Sequence, residues 1–187
     1  MRILGGTLRG RRLAAPPQKG VRPTPGRVKQ ALFNILAERV PGARFLDLYA
    51  GTGLIGIEAL SRGASHVTFV ESSPANCRLL KANLQRCGYA DQAVVQSVAS
   101  SRFLKQTLFQ PYDLVFLDPP YHTGEGENIL PTLGAGDIIV PNGVVVIEHF
   151  HKYSLPSLIG RLTFVKSHRY GDTLLSIYRP VQPKDRE

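Results

Sequence analysis

From residue 43 onward, short apolar runs alternate with segments of helical spacing. The runs are "RFLDLYA" (44–50), "HVTFVE" (66–71), "AVVQSV" (93–98), "YDLVFLD" (112–118) and "GVVVIEHF" (143–150). They are almost unbroken Val, Ile, Leu and Phe, as in strands covered on both faces. Between them the spacing predicts helices. "GTGLIGIEALSRG" (51–63) reads as a Gly-rich turn entering a helix, and "SPANCRLLKANLQRCG" (73–88) as a longer one. In the second, Ser73 is the N-cap, Pro74 the first helical residue and Gly88 the stop. "SSRFLKQTL" (100–108) is a short helix, and "ENILPTLGAGDII" (127–139) a weak one interrupted by Pro131. Alternating βα units imply a parallel, doubly wound α/β sheet of Rossmann-like form. The closing stretch "RLTFVKSHRYGDTLLSIYRP" (161–180) gives two strands around a turn at Tyr170, Gly171 and Asp172. That turn is too short for a crossover, so the last strand is expected to be antiparallel.

The first 40 residues have a different pattern. "RILGGTLRGRRLAAP" alternates apolar and basic around two Gly-containing turns, as a β-hairpin does. "RPTPGRVKQALFNIL" then enters a helix with Val28, Ala31, Leu32, Ile35 and Leu36 at helical spacing. Charge sharpens this division. The chain of 187 residues has a net charge of +9, and no acid precedes Glu38. Arg2, Arg9, Arg11, Arg12, Lys19, Arg22, Arg27 and Lys29 carry almost the whole excess. An ordered basic hairpin suits phosphate backbones, where each neutralised phosphate releases counterions. A nucleic-acid partner is therefore expected.

Other features narrow the class. The length suits one domain with a real core and a small appendage. No apolar stretch reaches the ~18 residues of a membrane span, and the basic N-terminus lacks the apolar core of a secretion signal. Cys77 and Cys87 lie ten residues apart on one predicted helix and share no face. Reduced thiols in a cytoplasmic protein are expected. Only "VQPKDRE" at the end reads as frayed.

The candidate chemistry gathers at strand ends. Gly51-x-Gly53-x-x-Gly56 joins a strand to a helix, and Glu71 closes the next strand twenty residues after Gly51. Glycines admit a nucleoside cofactor to the backbone, and the acid accepts from ribose hydroxyls. Asp47, four residues before Gly51, serves a pyrophosphate poorly and an ammonium well. This favours S-adenosylmethionine over a nicotinamide cofactor. Residues 118–121 read Asp-Pro-Pro-Tyr at the end of the fourth strand. The Asp118 carboxylate and Pro119 carbonyl could accept both N–H groups of an exocyclic base amine, with charge stabilised during attack. Tyr121 would stack on the base, worth roughly 1–3 kcal/mol. The two prolines stiffen the loop. The target base must be unpaired or flipped. His149 and His151 have no Cys or carboxylate spacing of a metal site. His122 reads as incidental, and Arg169 and Tyr170 as turn residues that could line the substrate side.

These residues carry a resemblance. The Gly-rich first loop, the second-strand acid and the Asp-Pro-Pro-Tyr after strand four resemble amino-methyltransferases that use S-adenosylmethionine. "RILGGTLRGRRL", "RPTPGRVKQALFNIL", "FLDLYAGTGLIGIEALSRGA", "VTFVES", "DLVFLDPPY" and "YGDT" together resemble the RsmD family, which methylates N2 of a guanine in small-subunit ribosomal RNA. The resemblance implies a seven-stranded class I methyltransferase sheet. It also implies small-subunit ribosomal RNA, or the assembled or partly assembled small subunit, as substrate. The expected catalytic set is Asp118, Pro119, Pro120 and Tyr121. The expected cofactor set is Asp47, Tyr49, Ala50, Gly51, Gly53, Glu71, Ser72, Ala99, Ser100 and Asp118. RNA is expected at Arg2, Arg9, Arg11, Arg12, Arg22, Thr24, Arg27 and Lys29. No metal or membrane is expected, and the protein is expected to act as a monomer. Residues 1–40 would be the RNA-contacting extension and 41–187 the methyltransferase domain. The family has Arg-Pro-Thr-Thr-Asp-Arg-Val-Arg-Glu where this chain has "RPTPGRVKQ". Pro25, Gly26 and Gln30 thus replace a hydroxyl and two acids, and the usual N-cap of that helix is lost. The family also commonly has Asp or Asn, the partner of the adenine amine, where this chain has Ala99. Somewhat weaker cofactor affinity is expected to follow. Two alternatives stand beside this reading. One is a DNA amino-methyltransferase, for which 187 residues leave no target-recognition domain. The other is a non-catalytic RNA-binding protein on a methyltransferase fold.

Overall fold

A computed structural model describes residues 1–15, 26–106, 110–120 and 125–181. The strands are β1 (Arg44–Leu48), β2 (His66–Val70), β3 (Ala93–Gln96), β4 (Tyr112–Leu117), β5 (Ile139–Phe150), β6 (Leu158–Ile159), β7 (Leu162–Tyr170) and β8 (Thr173–Pro180). The helices are α1 (Gly26–Leu36), α2 (Leu54–Ser61), α3 (Pro74–Cys87), α4 (Ser100–Phe103) and α5 (Glu125–Ala135). The strands form one sheet in the order β3-β2-β1-β4-β5-β8-β7-β6. β1 to β5 are parallel, and β8 lies antiparallel between β5 and β7. The expected antiparallel last strand is thus present. The sheet has eight strands rather than seven, because the two-residue β6 adds to the edge of β7.

Alternation along the strands gives each face its own core. Phe45, Phe69, Phe116, Val146 and Ile177 pack with α1, α2 and α3 on one side. Leu46, Leu48, Val115, Val145 and Tyr178 pack on the other with Phe103 of α4 and Ile129 and Leu133 of α5. The caps of α3 are as read from the sequence. Ser73 Oγ accepts from the Asn76 N–H, Pro74 opens the helix and Gly88 closes it at φ 76°. Cys77 and Cys87 are buried free thiols. Helix α5 passes through Pro131 instead of stopping there. Burial of Ile129, Leu130 and Leu133 around the proline outweighs its lost backbone bond.

The N-terminal segment is stitched to this core. One antiparallel bridge, Arg2 to Arg12, stands for the expected hairpin. Its Ile3 and Leu13 join the core beneath α1 and α2. Ser61 Oγ donates to the Gly5 carbonyl at 2.7 Å and accepts from the Leu8 N–H at 2.9 Å. A Cβ on Gly6, at φ 77°, would lie 1.8 Å from the Ser61 carbonyl oxygen, so only glycine fits this crossing.

Beneath it lies a buried ionic cluster. Glu58 is fully buried and meets Lys29 Nζ at 2.7 Å and Arg62 Nη2 at 2.8 Å. The Leu4 N–H donates to Glu58 Oε2, the oxygen that also meets Lys29, at 3.2 Å, and Lys29 also donates to the Arg2 carbonyl. Lys29 is 2% exposed, so it cannot meet a phosphate as its basic neighbours suggested. It holds the base-rich segment instead of extending it. Burial lowers the Lys29 pKa, while the Glu58 carboxylate works against that shift. Removing one partner of a buried pair strands the other charge. Glu58→Gln is therefore expected to lose about 3–5 kcal/mol of stability. Lys29→Met added to it should recover part of that loss. A denaturant double-mutant cycle with additive losses would sink this account.

Candidate active site

The parallel strands end flush. Leu48 of β1 lies opposite Val70 of β2 and Leu117 of β4. Glu71 and Asp118 are the next residues on their strands, so both emerge beside the loop that follows β1. Strand order reverses about β1, and the crevice lies at this switch point, where ligands of such sheets bind.

Asp47 lies one residue below the edge. It is 2% exposed, and its register partners are Phe69 and Phe116. Its Oδ2 accepts from the Gly56 N–H of α2 at 2.9 Å. Burial pushes its pKa up to about 7; the Gly56 bond opposes this, and the charges of Asp118 and Glu71 add to it. Asp47 therefore feels both neighbouring acids across the crevice.

Glu71 organises the rim. One oxygen accepts from the Gly51 N–H at 2.8 Å and the other from the Ser73 N–H at 2.7 Å. Each oxygen retains a second lone pair for a further donor. The loop itself is tight, with the Gly53 N–H donating to the Ala50 carbonyl at 2.8 Å. Gly51 has φ +55° with open space where a Cβ would stand. Gly53, at φ +84°, and Gly56 instead face neighbours, for a Cβ there would meet Leu80 at 2.1 Å or Phe69 at 2.2 Å. One glycine therefore opens to the crevice, while the other two allow close packing. Tyr49 is half-buried at φ 63°. That conformation costs a non-glycine residue roughly 1–3 kcal/mol and is typical of functional sites.

Further round, Ser72 is exposed, Ala99 is exposed at the N-cap of α4, and Ser100 is buried. Ala99 has no side-chain acceptor with which to cap α4. An Asp at position 99 could cap α4 and also reach an adenine amine. Ala99→Ser could only cap. Both variants are expected to raise stability by about 1 kcal/mol, and Ala99→Asp alone to tighten cofactor binding by ~3–10-fold. Equal affinities for Ala99, Ser and Asp in calorimetry would refute the adenine role.

Asp118 is half-buried, Pro119 buried and Pro120 exposed. Tyr121, His122, Arg22, Thr24 and Pro25 lie outside the described residues. Arg2, Arg9, Arg11, Arg12 and Arg27 are exposed, as an RNA surface requires. The N-terminal segment reaches the crevice. Thr52 of the Gly-rich loop donates to Met1 Sδ at 3.7 Å, and Asn83 Nδ2 donates to the Thr52 and Ala14 carbonyls, both at 3.1 Å. Asn83 did not emerge from the motifs. The available signal was a polar residue on the buried stripe of Leu80, Leu84 and Cys87. His149 is held by Ser176 Oγ at 2.8 Å, and burial lowers its pKa. His151 pairs with Asp172 at 3.6 Å. Among the described residues no group of three His, Cys, Asp or Glu is placed to hold a metal, and no helix is long and apolar enough to cross a membrane.

Comparison with known proteins identifies the family of the chain. The chain is 42% identical over 151 residues to the ribosomal RNA small subunit methyltransferase D of Haemophilus influenzae, covering 79% of this chain and 78% of that one. The solved structure of the Escherichia coli protein yhhF superposes with a TM-score of 0.86 at 33% identity, covering 96% and 97% of the two chains. An RNA methyltransferase from Salinibacter ruber, solved with S-adenosyl-L-homocysteine, shares the fold at 18% identity and a TM-score of 0.66, covering 89% and 99%. The family model described as "Conserved hypothetical protein 95" matches residues 1–179, and the chain belongs to that family, the RsmD family.

Proposed function

We propose that this protein transfers a methyl group from S-adenosylmethionine to the exocyclic N2 amine of a guanine in small-subunit (16S) ribosomal RNA. The observation that carries the reading is the convergence of Asp47, Glu71 and Asp118 at one sheet edge, beside a glycine loop open at Gly51. Such a crevice repels a pyrophosphate and favours a ligand with an ammonium and a sulfonium. The name of the Haemophilus relative supports ribosomal RNA of the small subunit as the substrate. Bound S-adenosylmethionine would supply an electrophilic methyl group. Asp47 would balance its ammonium, and Glu71 would take its ribose hydroxyls. The backbone and apolar wall near Ala99 and Ser100 would hold the adenine.

The remaining work falls to the loop after β4. Asp118 and the Pro119 carbonyl accept the amine N–H groups, leave the nitrogen lone pair free to attack, and offset the positive charge that develops. Holding the amine in line supplies much of the rate. The proton leaves after attack, to solvent or to Asp118. Residues 1–40 form the RNA-contacting extension, and residues 41–187 carry the transfer. The protein acts as a monomer in the cytoplasm.

The direct test is tritium transfer from labelled S-adenosylmethionine to small subunits from cells lacking this protein, followed by nucleoside analysis. Label is expected in N2-methylguanosine. Label in methyladenine or methylcytosine would overturn the base assignment, and label in DNA alone would overturn RNA as substrate. Cofactor binding with no label in any nucleic acid would favour a non-catalytic RNA-binding role.

A further inference from the structure

On the α1 side of the sheet, residues of α1 face β7 and β8 across open space. A groove of about 720 Å³ opens there between the helix and the strands. Arg27 and Arg39 line one wall, and Lys166, His168, Tyr170 and Arg179 the other. No acid lines it. The placement follows from register. Beyond an irregularity between Phe164 and Lys166, alternate residues Lys166, His168 and Tyr170 point to one face of β7. Ile177 and Arg179 of β8 line the same wall. Arg27, Lys166 and Arg179 are exposed and make no ion pair with a described residue. His168 Nε2 is buried without a hydrogen-bond partner among the described residues.

The groove leads to the catalytic edge. Arg39 Nη1 donates to the Asn142 carbonyl at 3.1 Å, near the start of β5. The chain just past α1 therefore lies beside the start of β5, and Arg27 stands about 18 Å from Arg39 at roughly 1.5 Å per residue. Tyr170 pairs with Thr173, which pairs with Phe150 at the end of β5, the edge from which Asp118 emerges. Cations along a trough and an aromatic ring at its upper end are the elements of a single-strand binding surface, where bases stack and phosphates track the charge.

We propose that this groove carries the single-stranded RNA flanking the target nucleotide, with Lys166 and Arg179 on phosphates and Tyr170 stacked on a base. The proposal rests on the RNA methyltransferase reading and extends the RNA surface beyond the N-terminal segment to the opposite end of the sheet.

The test compares Lys166→Ala/Arg179→Ala with Lys81→Ala/Lys105→Ala, which removes equal exposed charge elsewhere. Binding of a fluorescent single-stranded RNA oligonucleotide is titrated over a range of salt concentration, and methyl transfer is measured on the same proteins. The groove pair is expected to flatten the slope of log K against log salt by about 1.4, at ~0.7 per phosphate for single strands. It should raise KM for RNA by about tenfold or more, leaving kcat and cofactor affinity within about twofold. Tyr170→Leu should weaken binding with the salt slope unchanged. An unchanged slope in the groove pair, or the same loss in the control pair, would overturn the groove. Weakened oligonucleotide binding by the groove pair, with no transfer to RNA by the native protein, would uphold the groove and reject the reaction.

Discussion

Asp118→Ala is expected to lower kcat for methyl transfer by about 10²–10³-fold, the range found when a preorganised transition-state partner is removed, while cofactor affinity changes by less than about tenfold. Asp118 stands immediately after Leu117, at the flush ends of β1, β2 and β4. Half-buried, and followed by buried Pro119, it has little freedom to move away from an incoming amine. In water a base amine delocalises its lone pair into the ring. A carboxylate and a carbonyl fixed on its two N–H groups favour the geometry that frees the pair, and they do so most as positive charge develops. The loss should therefore fall on kcat more than on KM. Asp118→Asn keeps the shape but turns one acceptor into a donor, so it should fall between native and Ala. A second readout is independent of turnover. The Asp118 charge helps to raise the Asp47 pKa. Removing it should move the acid limb of cofactor binding to lower pH. Full activity in Asp118→Ala would reject the mechanism, and an unmoved limb would reject the coupling.

What the sequence disclosed follows how local each signal was. Ser73, Pro74 and Gly88 fix the ends of α3 through backbone preferences of single residues, and the structure keeps all three. The crevice acids were legible because strand ends and βα turns dictate their place. Features that depend on distant pairing were not. Two-residue β6 has no pattern of its own and exists only as a partner of β7. "PNG" at 141–143 looks like a break, yet β5 begins at Ile139 and passes through it beside an irregular register with β4. Strand β1 ends at Leu48 rather than running through residue 50, because Tyr49 turns left-handed into the glycine loop. Lys29 sits among basic neighbours, and charge counting cannot show which lysine turns inward. A signal did exist: Lys29 lies at helical spacing from Leu32 and Phe33, and Glu58 is the one charged residue of α2. Two opposite charges, each on a buried stripe, must find each other or remain uncompensated. The groove beside α1 is a tertiary feature, for its walls are joined only when β7 and β8 return to the sheet.

Asp47→Asn is expected to weaken binding of S-adenosylmethionine by about 10–100-fold and yet make the protein more stable at pH 8. Both effects come from the same burial. The Asp47 carboxyl is held to a pKa of about 7, far above the 3.8 of an exposed group. Between those values the folded state keeps a proton that the unfolded chain has lost. Stability therefore falls as pH rises from about 4 to about 7, and the penalty is fully developed above 7. At about 1.4 kcal/mol per pKa unit, it is on the order of 4 kcal/mol. An amide in place of the carboxylate never ionises and can still accept from the Gly56 N–H. The Asn variant should melt higher at pH 8 and lose that advantage near pH 4. Cofactor binding has the opposite pH dependence, because an ammonium is held by the ionised acid. Between pH 5 and 6.5 a ligand ammonium stays protonated, and affinity should rise up to ~10-fold per unit, levelling off above 7. Nearby Glu71 and Asp118 remain in Asp47→Asn, so any residual binding in that variant should lose this slope. Equal stability of the two proteins at pH 8 would mean that Asp47 does not carry the penalty. Undiminished affinity would mean that it does not hold the ammonium. The acid is costly to the fold because no cation among the described residues balances it, and a cationic methyl donor would supply that balance.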